Sequence, residues 1–240
     1  MERNHFPAMS TAVTTAPERR PIHPLSIWIP IIIIALGLVI FWNYLVMIQK
    51  QKDTPRLPMI SRLETNLTLK ERSGKTVELK ELKGKVLVAC WVYTHCPRGC
   101  PGVVGEMLRL HKDVGADPNI HFLSFSVDTD DTPASMSAFT ERFNIKGGNW
   151  WFVTGNKDEV RPYMTHYFRF NDVQDVPVAD RMSPDDKFVH DMRVALVDSA
   201  GNVRGMYDIG APDTERAKYF QEQIRKDIKT LLAERTEANH

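Results

Sequence analysis

The sequence predicts an α/β fold, a central mixed sheet flanked by helices, preceded by one apolar helix. Three observations predict it. The run "LSIWIPIIIIALGLVIFWNYLVMI", residues 25–48, holds no charged residue and has the length and composition of a membrane-crossing helix. After it, short β-branched apolar runs alternate with segments of helical period, the pattern of β-α-β units. Two of the three cysteines, Cys96 and Cys100, share the turn between the first of those runs and the first helix.

The apolar run makes a helix of about 36 Å at roughly 1.5 Å per residue, enough to cross a hydrocarbon core of about 30 Å. Trp28 near one end, and Trp42 and Tyr44 near the other, suit the interfaces. Pro30 falls in the first turns, where a missing N–H does little harm. The run is too long for the apolar part of a cleaved signal peptide, and no small-x-small cleavage site follows it. A retained anchor is therefore expected over residues 25–48, with a flexible tail (1–24) before it and a linker (49–62) after it. Arg3, Arg19 and Arg20 precede the span, while Lys50, Lys52, Arg56 and Arg62 follow it, so the charge bias leaves the orientation open.

Residues 63–240 form one domain's worth of chain. "KVLVACWVY" (85–93) reads as a buried strand. "GVVGEMLRLHKDV" places Val103, Met107, Leu110 and Val114 at helical spacing, with Gly115 to end the helix. "IHFLSFSV" (120–127) is a second buried strand. Pro133 opens a helix through Phe143. "WWFVTG" (150–155) is a third strand, followed by a helix over "KDEVRPYMTHYF" that contains Pro162. "MRVALVDSAGNVRGMYDI" is a hairpin turning at residues 198–202. The last helix, about 213–234, carries Ala217, Phe220, Ile224, Ile228 and Leu231 on one face. β-α-β units closed by an antiparallel hairpin and a final helix are the thioredoxin-like order.

The net charge is +1, so no global attraction to nucleic acid is expected. The chemistry concentrates at "THCPRGCP". In a thioredoxin-like order this turn opens a helix, whose N-terminus carries partial positive charge and free N–H groups. A thiol there loses its proton more readily, and the thiolate is both nucleophile and metal ligand. Three uses of the pair fit the spacing. A static disulfide would close a loop too short to remove much chain entropy. A redox-active disulfide Cys96–Cys100 fits, although the commoner motif has two intervening residues. A metal site needs at least a third ligand, and soft thiolates favour Cu(I), or zinc where four ligands assemble. Cys90 lies inside an apolar strand, where a lone cysteine is a small hydrophobe. Of eight histidines, His5, His23 and His240 lie near the ends of the chain, His111 and His166 read as surface positions on helices, and His121 begins a strand. His95 adjoins Cys96, and His190 precedes the strand expected beside the cysteine turn.

"CPRGCP" resembles the C-P-x-x-C-P motif of the Sco/SenC family, membrane-tethered copper proteins of thioredoxin-like fold that help assemble the binuclear copper site of cytochrome c oxidase. "FSVDTDDTP" is similar to that family's strand ending in S-[IV]-D followed by D-T-P. "FVHDMRVALVDSAGNVRGMYD" is similar to its histidine before a strand and hairpin. The resemblance spans about residues 63–232 and the anchor. It implies one copper held by Cys96, Cys100 and His190, with Asp128 as a supporting residue near the ligands. The implied function is copper delivery, a binding role more than an enzyme's. The implied partners are oxidase subunit II or a similar copper acceptor, a thiol reductant and the membrane. The alternative is a membrane-bound thiol–disulfide oxidoreductase that reduces the cysteines of the oxidase copper site. Either role puts the soluble domain outside the bacterial cytosol, on the periplasmic side, or in the mitochondrial intermembrane space. Peroxidase chemistry, which shares the fold, does not suit "VLVACWVYTHC", which lacks the upstream proline of a peroxidatic cysteine.

The chain departs from the family where Arg98 and Gly99 replace an acidic and apolar pair, which adds positive charge beside the thiolates. His95 is a rival ligand or a modulator of the site. The loop 171–189, rich in Asp and Pro, has the length of a segment that opens and closes over a site.

Overall fold

The computed structural model describes residues 24–52, 56–97, 100–128, 130–146 and 148–238. Most of the expected tail, together with Arg98 and Gly99, lies outside them. The chain divides into two units, one ending at residue 55 and one beginning at residue 56. The described part of the first is a single helix, α1 (Pro24–Lys52). Its stretch Trp28–Gln49 is long and apolar enough to cross a membrane.

The second unit carries, in chain order, β1 (Ser61–Arg62), β2 (Thr68–Glu71), β3 (Thr76–Glu78), a 3-10 turn (Leu79–Leu82), β4 (Val86–Val92) and α2 (Cys100–Val114). There follow β5 (Ile120–Ser126), α3 (Pro133–Arg142), β6 (Trp150–Thr154), α4 (Lys157–His166) and β7 (Gln174–Asp175). A 3-10 turn (Val178–Asp180), β8 (Phe188–Val189), β9 (Val194–Val197), β10 (Asn202–Tyr207) and α5 (Thr214–Ala238) complete it. Eight strands form one mixed sheet in the order β1-β10-β9-β4-β5-β6-β2-β3. β4, β5 and β6 are parallel, and β9 lies antiparallel on β4. The α/β, thioredoxin-like reading holds, with helices covering both faces.

β4 is buried along its whole length, as expected of a central strand covered on both sides. Its alternating residues serve two cores. Leu87, Ala89 and Trp91 join Tyr163 and Met164 of α4 on one face. Val86, Val88, Cys90 and Val92 meet Met107 and Leu110 of α2, Phe139 of α3, and Ile224, Ile228 and Leu231 of α5 on the other. Full burial of such a side chain contributes about 1.5–3 kcal/mol, so these two clusters fix where the strand ends. α3 starts as predicted. Thr132 caps it by accepting the Ser135 N–H at 3.1 Å, Ser135 Oγ accepts the Thr132 N–H at 2.9 Å, and Pro133 occupies the first turn.

Three features differ from the expectation. The segment 68–78 forms a β2–β3 hairpin. Its strands are short and half exposed, so they lack an apolar run to announce them. Residues 56–62, read as linker, are stitched to the domain edge. The Ile60 N–H donates to Val203 O at 2.8 Å, and Arg204 Nη2 donates to Leu57 O at 2.5 Å. Arg204 also pairs with Asp198 at 2.8 Å and Glu234 at 3.0 Å. His111 is half-buried instead of lying on the surface. Its ring packs 4.9 Å from Phe122 and 5.3 Å from Trp150, with Nε2 2.9 Å from Asn149 Oδ1, because α2 lies flat on the sheet and turns this position inward. His166 is exposed, as expected.

Candidate metal and thiol site

The site lies at the carboxyl ends of β4 and β5, the edge where parallel strands of α/β proteins present their ligands. β4 delivers Tyr93, Thr94, His95 and Cys96 into a tight turn that closes when the Cys96 N–H donates to Tyr93 O at 3.1 Å. Cys96 is half-buried and packs against the α4-side core. Cys100 is the first residue of α2, and no acidic residue occupies that helix's first turn. The positive end of the helix is thus not offset by a neighbouring carboxylate. The Cys100 side chain lies outside the described residues.

Asp131 fixes the turn from beneath. Its carboxylate, 3% exposed, accepts from Thr94 Oγ1, from the Thr94 N–H at 3.3 Å, from Ser126 Oγ at 2.5 Å and from Ser135 Oγ at 3.3 Å. Arg142 Nη2 holds the other side of the turn, donating to Thr94 O at 3.1 Å. His95 points outward, its Nδ1 2.9 Å from Thr94 Oγ1 and 3.8 Å from Asp131 Oδ1.

His190 follows β8 and precedes β9. The β4–β9 register pairs Leu87 with Val197 and Cys90 with Val194. The chain ahead of Val194 therefore runs back beside the chain that follows Cys90, toward the cysteine turn. The ring of His190 is half-buried, and its Nδ1 lies 2.9 Å from Asp191 O. A carbonyl only accepts, so Nδ1 is the donor in this contact and Nε2 is the nitrogen a metal would take. This is the arrangement a metal-binding imidazole adopts, held through its other nitrogen. Asp191 is itself gripped by Arg193, at 2.9 Å to Nε and 2.5 Å to Nη2, and by the Asn171 N–H at 2.9 Å. Burial alone would raise its carboxyl pKa, and these bonds overcome that and hold it below the usual carboxylate value.

Asp128 is buried, with Lys187 Nζ 3.5 Å from Oδ2. Lys187 also reaches Asp130 at 3.1 Å. The ammonium pKa is raised, first by its hydrogen bond to Asp130 and against the smaller opposing effect of burial. Cys90 is fully buried, beside Ser124 Oγ at 3.5 Å, and burial pushes its thiol up to about 11. It is a core residue, as its sequence context implied. Among the described residues, no three His, Cys, Asp or Glu side chains converge as a metal cluster. Tyr93, Asp131 and Lys187 were not singled out by the sequence. For Asp131 a signal was present, since the D-T-P triplet that opens α3 brings this carboxylate under the turn.

The fold and this edge define a thioredoxin-like domain with a cysteine pair at a helix N-terminus and a histidine segment running toward it. The SCO1/SenC family model matches residues 59–225, and the chain belongs to that family. A SCO1 protein homolog from Bacillus subtilis (strain 168) is 28% identical over 144 residues, covering 59% of this chain and 71% of that protein. The structure of BsSco, described as a member of the Sco family of cytochrome c oxidase assembly proteins with a disulfide switch, aligns with a TM-score of 0.60. It shares 25% identity over 74% of this chain and 98% of its own. Bradyrhizobium japonicum ScoI with copper bound aligns with a TM-score of 0.53 and 25% identity, covering 70% of this chain and 98% of its own.

Proposed function

We propose that this protein carries one copper(I) as cargo and delivers it during assembly of the copper site of cytochrome c oxidase. The role of its relatives in oxidase assembly and copper binding supports this reading. The observation that carries it is the antiparallel register of β9 on β4, which directs the His190 segment toward the cysteine turn. In this reading Cys96 and Cys100 supply two thiolates and His190 supplies Nε2, a soft three-donor set suited to Cu(I). Cys100 opens α2, and the positive end of a helix favours a thiolate. A partner's thiolates replace the donors one at a time, so the ion never passes free through solution. The oxidase acceptor, subunit II or a protein like it, lies on the side of the membrane where α1 holds the domain, the periplasm or the intermembrane space. Both cysteines must be reduced before loading, which assigns a thiol reductant as a second partner.

The test is Cu(I) titration of the full-length chain in detergent against a chromogenic chelator. The wild type is expected to bind one equivalent. Cys96→Ser and Cys100→Ser are expected to lose it, and His190→Ala to release copper faster. Full retention by His190→Ala removes that residue from the ligand set.

The disulfide switch described for BsSco favours a second reading, thiol–disulfide exchange. One thiolate of the pair would attack a partner disulfide to give a mixed disulfide. The second would then attack, leaving a Cys96–Cys100 disulfide and two reduced partner thiols, and two equivalents of an external thiol, leaving as their own disulfide, would reset the pair. Insulin reduction that survives His190→Ala unchanged, with no copper retained, would select this reading.

A further inference from the structure

Tyr93 touches both halves of the site. Its carbonyl accepts the Cys96 N–H at 3.1 Å, which closes the cysteine turn. Its side chain, in a residue only 1% exposed, reaches the other way. The hydroxyl donates to Asp185 O at 2.5 Å, and the ring edge meets Phe188 at 5.7 Å. Asp185 and Phe188 lie five and two residues before His190. Arg161 sits on Phe188, with its guanidinium carbon 4.8 Å from the ring centroid, and donates to Val127 O at 2.9 Å at the end of β5. Lys187 also ties this loop to the cysteine side through its pair with Asp128 and Asp130. Lys187 is about one-third exposed, and an ion pair with that much access to water is weak and screened by salt. The Tyr93 hydroxyl, by contrast, makes a part-buried, directional bond from the cysteine turn to this loop.

We infer that Tyr93 is a positioning residue. Its hydroxyl pins the loop that carries His190 against the turn that carries Cys96, and so sets how firmly His190 takes part in holding copper. The inference rests on the copper reading above. A phenylalanine would keep the ring packing and lose only this bond.

The test is Tyr93→Phe in the full-length chain in detergent, loaded with Cu(I), with release to a chelator followed in time. Release is expected to accelerate roughly 2- to 10-fold, the worth of one neutral hydrogen bond, and the nitrogen contribution in X-ray absorption is expected to weaken. The apo thiols should alkylate at the wild-type rate. In the His190→Ala background the same substitution should change release by less than about 2-fold, since its effect would run through a donor already removed. Wild-type release by Tyr93→Phe, or equal acceleration in the His190→Ala background, overturns the inference. A wild-type rate in His190→Ala alone overturns the copper-ligand reading instead, so the two failures are distinguishable.

Discussion

Replacing Asp131 with alanine removes the acceptor that organises the cysteine turn. Its carboxylate takes hydrogen bonds from Thr94 at both N and Oγ1, and from Ser126 and Ser135. Thr94 and Ser126 are themselves buried, so the two Thr94 donors lose this acceptor where water does not replace it readily, while Ser126 Oγ keeps Asp128 O at 3.1 Å. A bond to a charged acceptor contributes about 1.5–3 kcal/mol, and an orphaned buried donor costs about 1–3 kcal/mol. Against this stands the relief of no longer burying a carboxylate. Bonds that share one acceptor are also not additive. The net expected loss is about 3 kcal/mol. For a domain of this size that lowers the unfolding temperature by roughly 6–12 °C. Asp131→Asn keeps one acceptor oxygen and should lose about half as much. Urea unfolding followed by tryptophan fluorescence, extrapolated to water, measures both. A stability for Asp131→Ala within about 0.5 kcal/mol of wild type, the range of an uninvolved surface change, refutes the reasoning.

Other expectations follow from the same structure. His121 is buried with its Nε2 lacking a hydrogen-bond partner among the described residues. Burial first, then Lys85 and His111, lower its pKa to about 4. The unfolded chain takes up that proton near pH 6.5, so stability is full above pH 6.5 and falls as the pH drops toward 4, by roughly 3 kcal/mol at about 1.36 per unit. His121→Leu should flatten that slope in unfolding titrations, and an unchanged slope would exclude the residue as its source. Ile228, fully buried between α5 and the sheet, should cost about 2–5 kcal/mol as alanine, read by the same denaturation. Gly201 holds φ at +86° in the β9–β10 turn and donates to Asp198 O at 3.0 Å. Gly201→Ala should cost about 1–2 kcal/mol for the left-handed backbone, with copper binding unaffected. A loss of copper affinity in that variant would mean the far end of the hairpin feeds strain into the site.

The central elements were legible because each is announced by an uninterrupted apolar run or a clean helical period. β4, β5, β6 and the inner face of α5 are of this kind. The edges were not. β1 is two residues long, and β2 and β3 alternate exposed with buried positions over three or four residues, too little to separate from a polar loop. The Ser73-Gly74 turn, with Gly74 at φ +84°, was the signal that could have found that hairpin. At the site, Cys96 and Cys100 stood out by their spacing at a strand–helix junction. His190 did not stand out among eight histidines without the family resemblance, since its nearness to the turn depends on strand pairing across about a hundred residues. Tyr93 and Lys187 were invisible for the same reason. Their partners, Asp185 in one case and Asp128 and Asp130 in the other, are distant in sequence and are met only once the loop folds back.

The central claim is that a single soft ion is shared by two sulfurs and one imidazole. X-ray absorption of the Cu(I)-loaded full-length chain counts those atoms directly. Two sulfur scatterers and one nitrogen, with the nitrogen lost in His190→Ala, is the predicted result. A shell of sulfur alone in the wild type, or a nitrogen that persists in His190→Ala and disappears in His95→Ala, would contradict it.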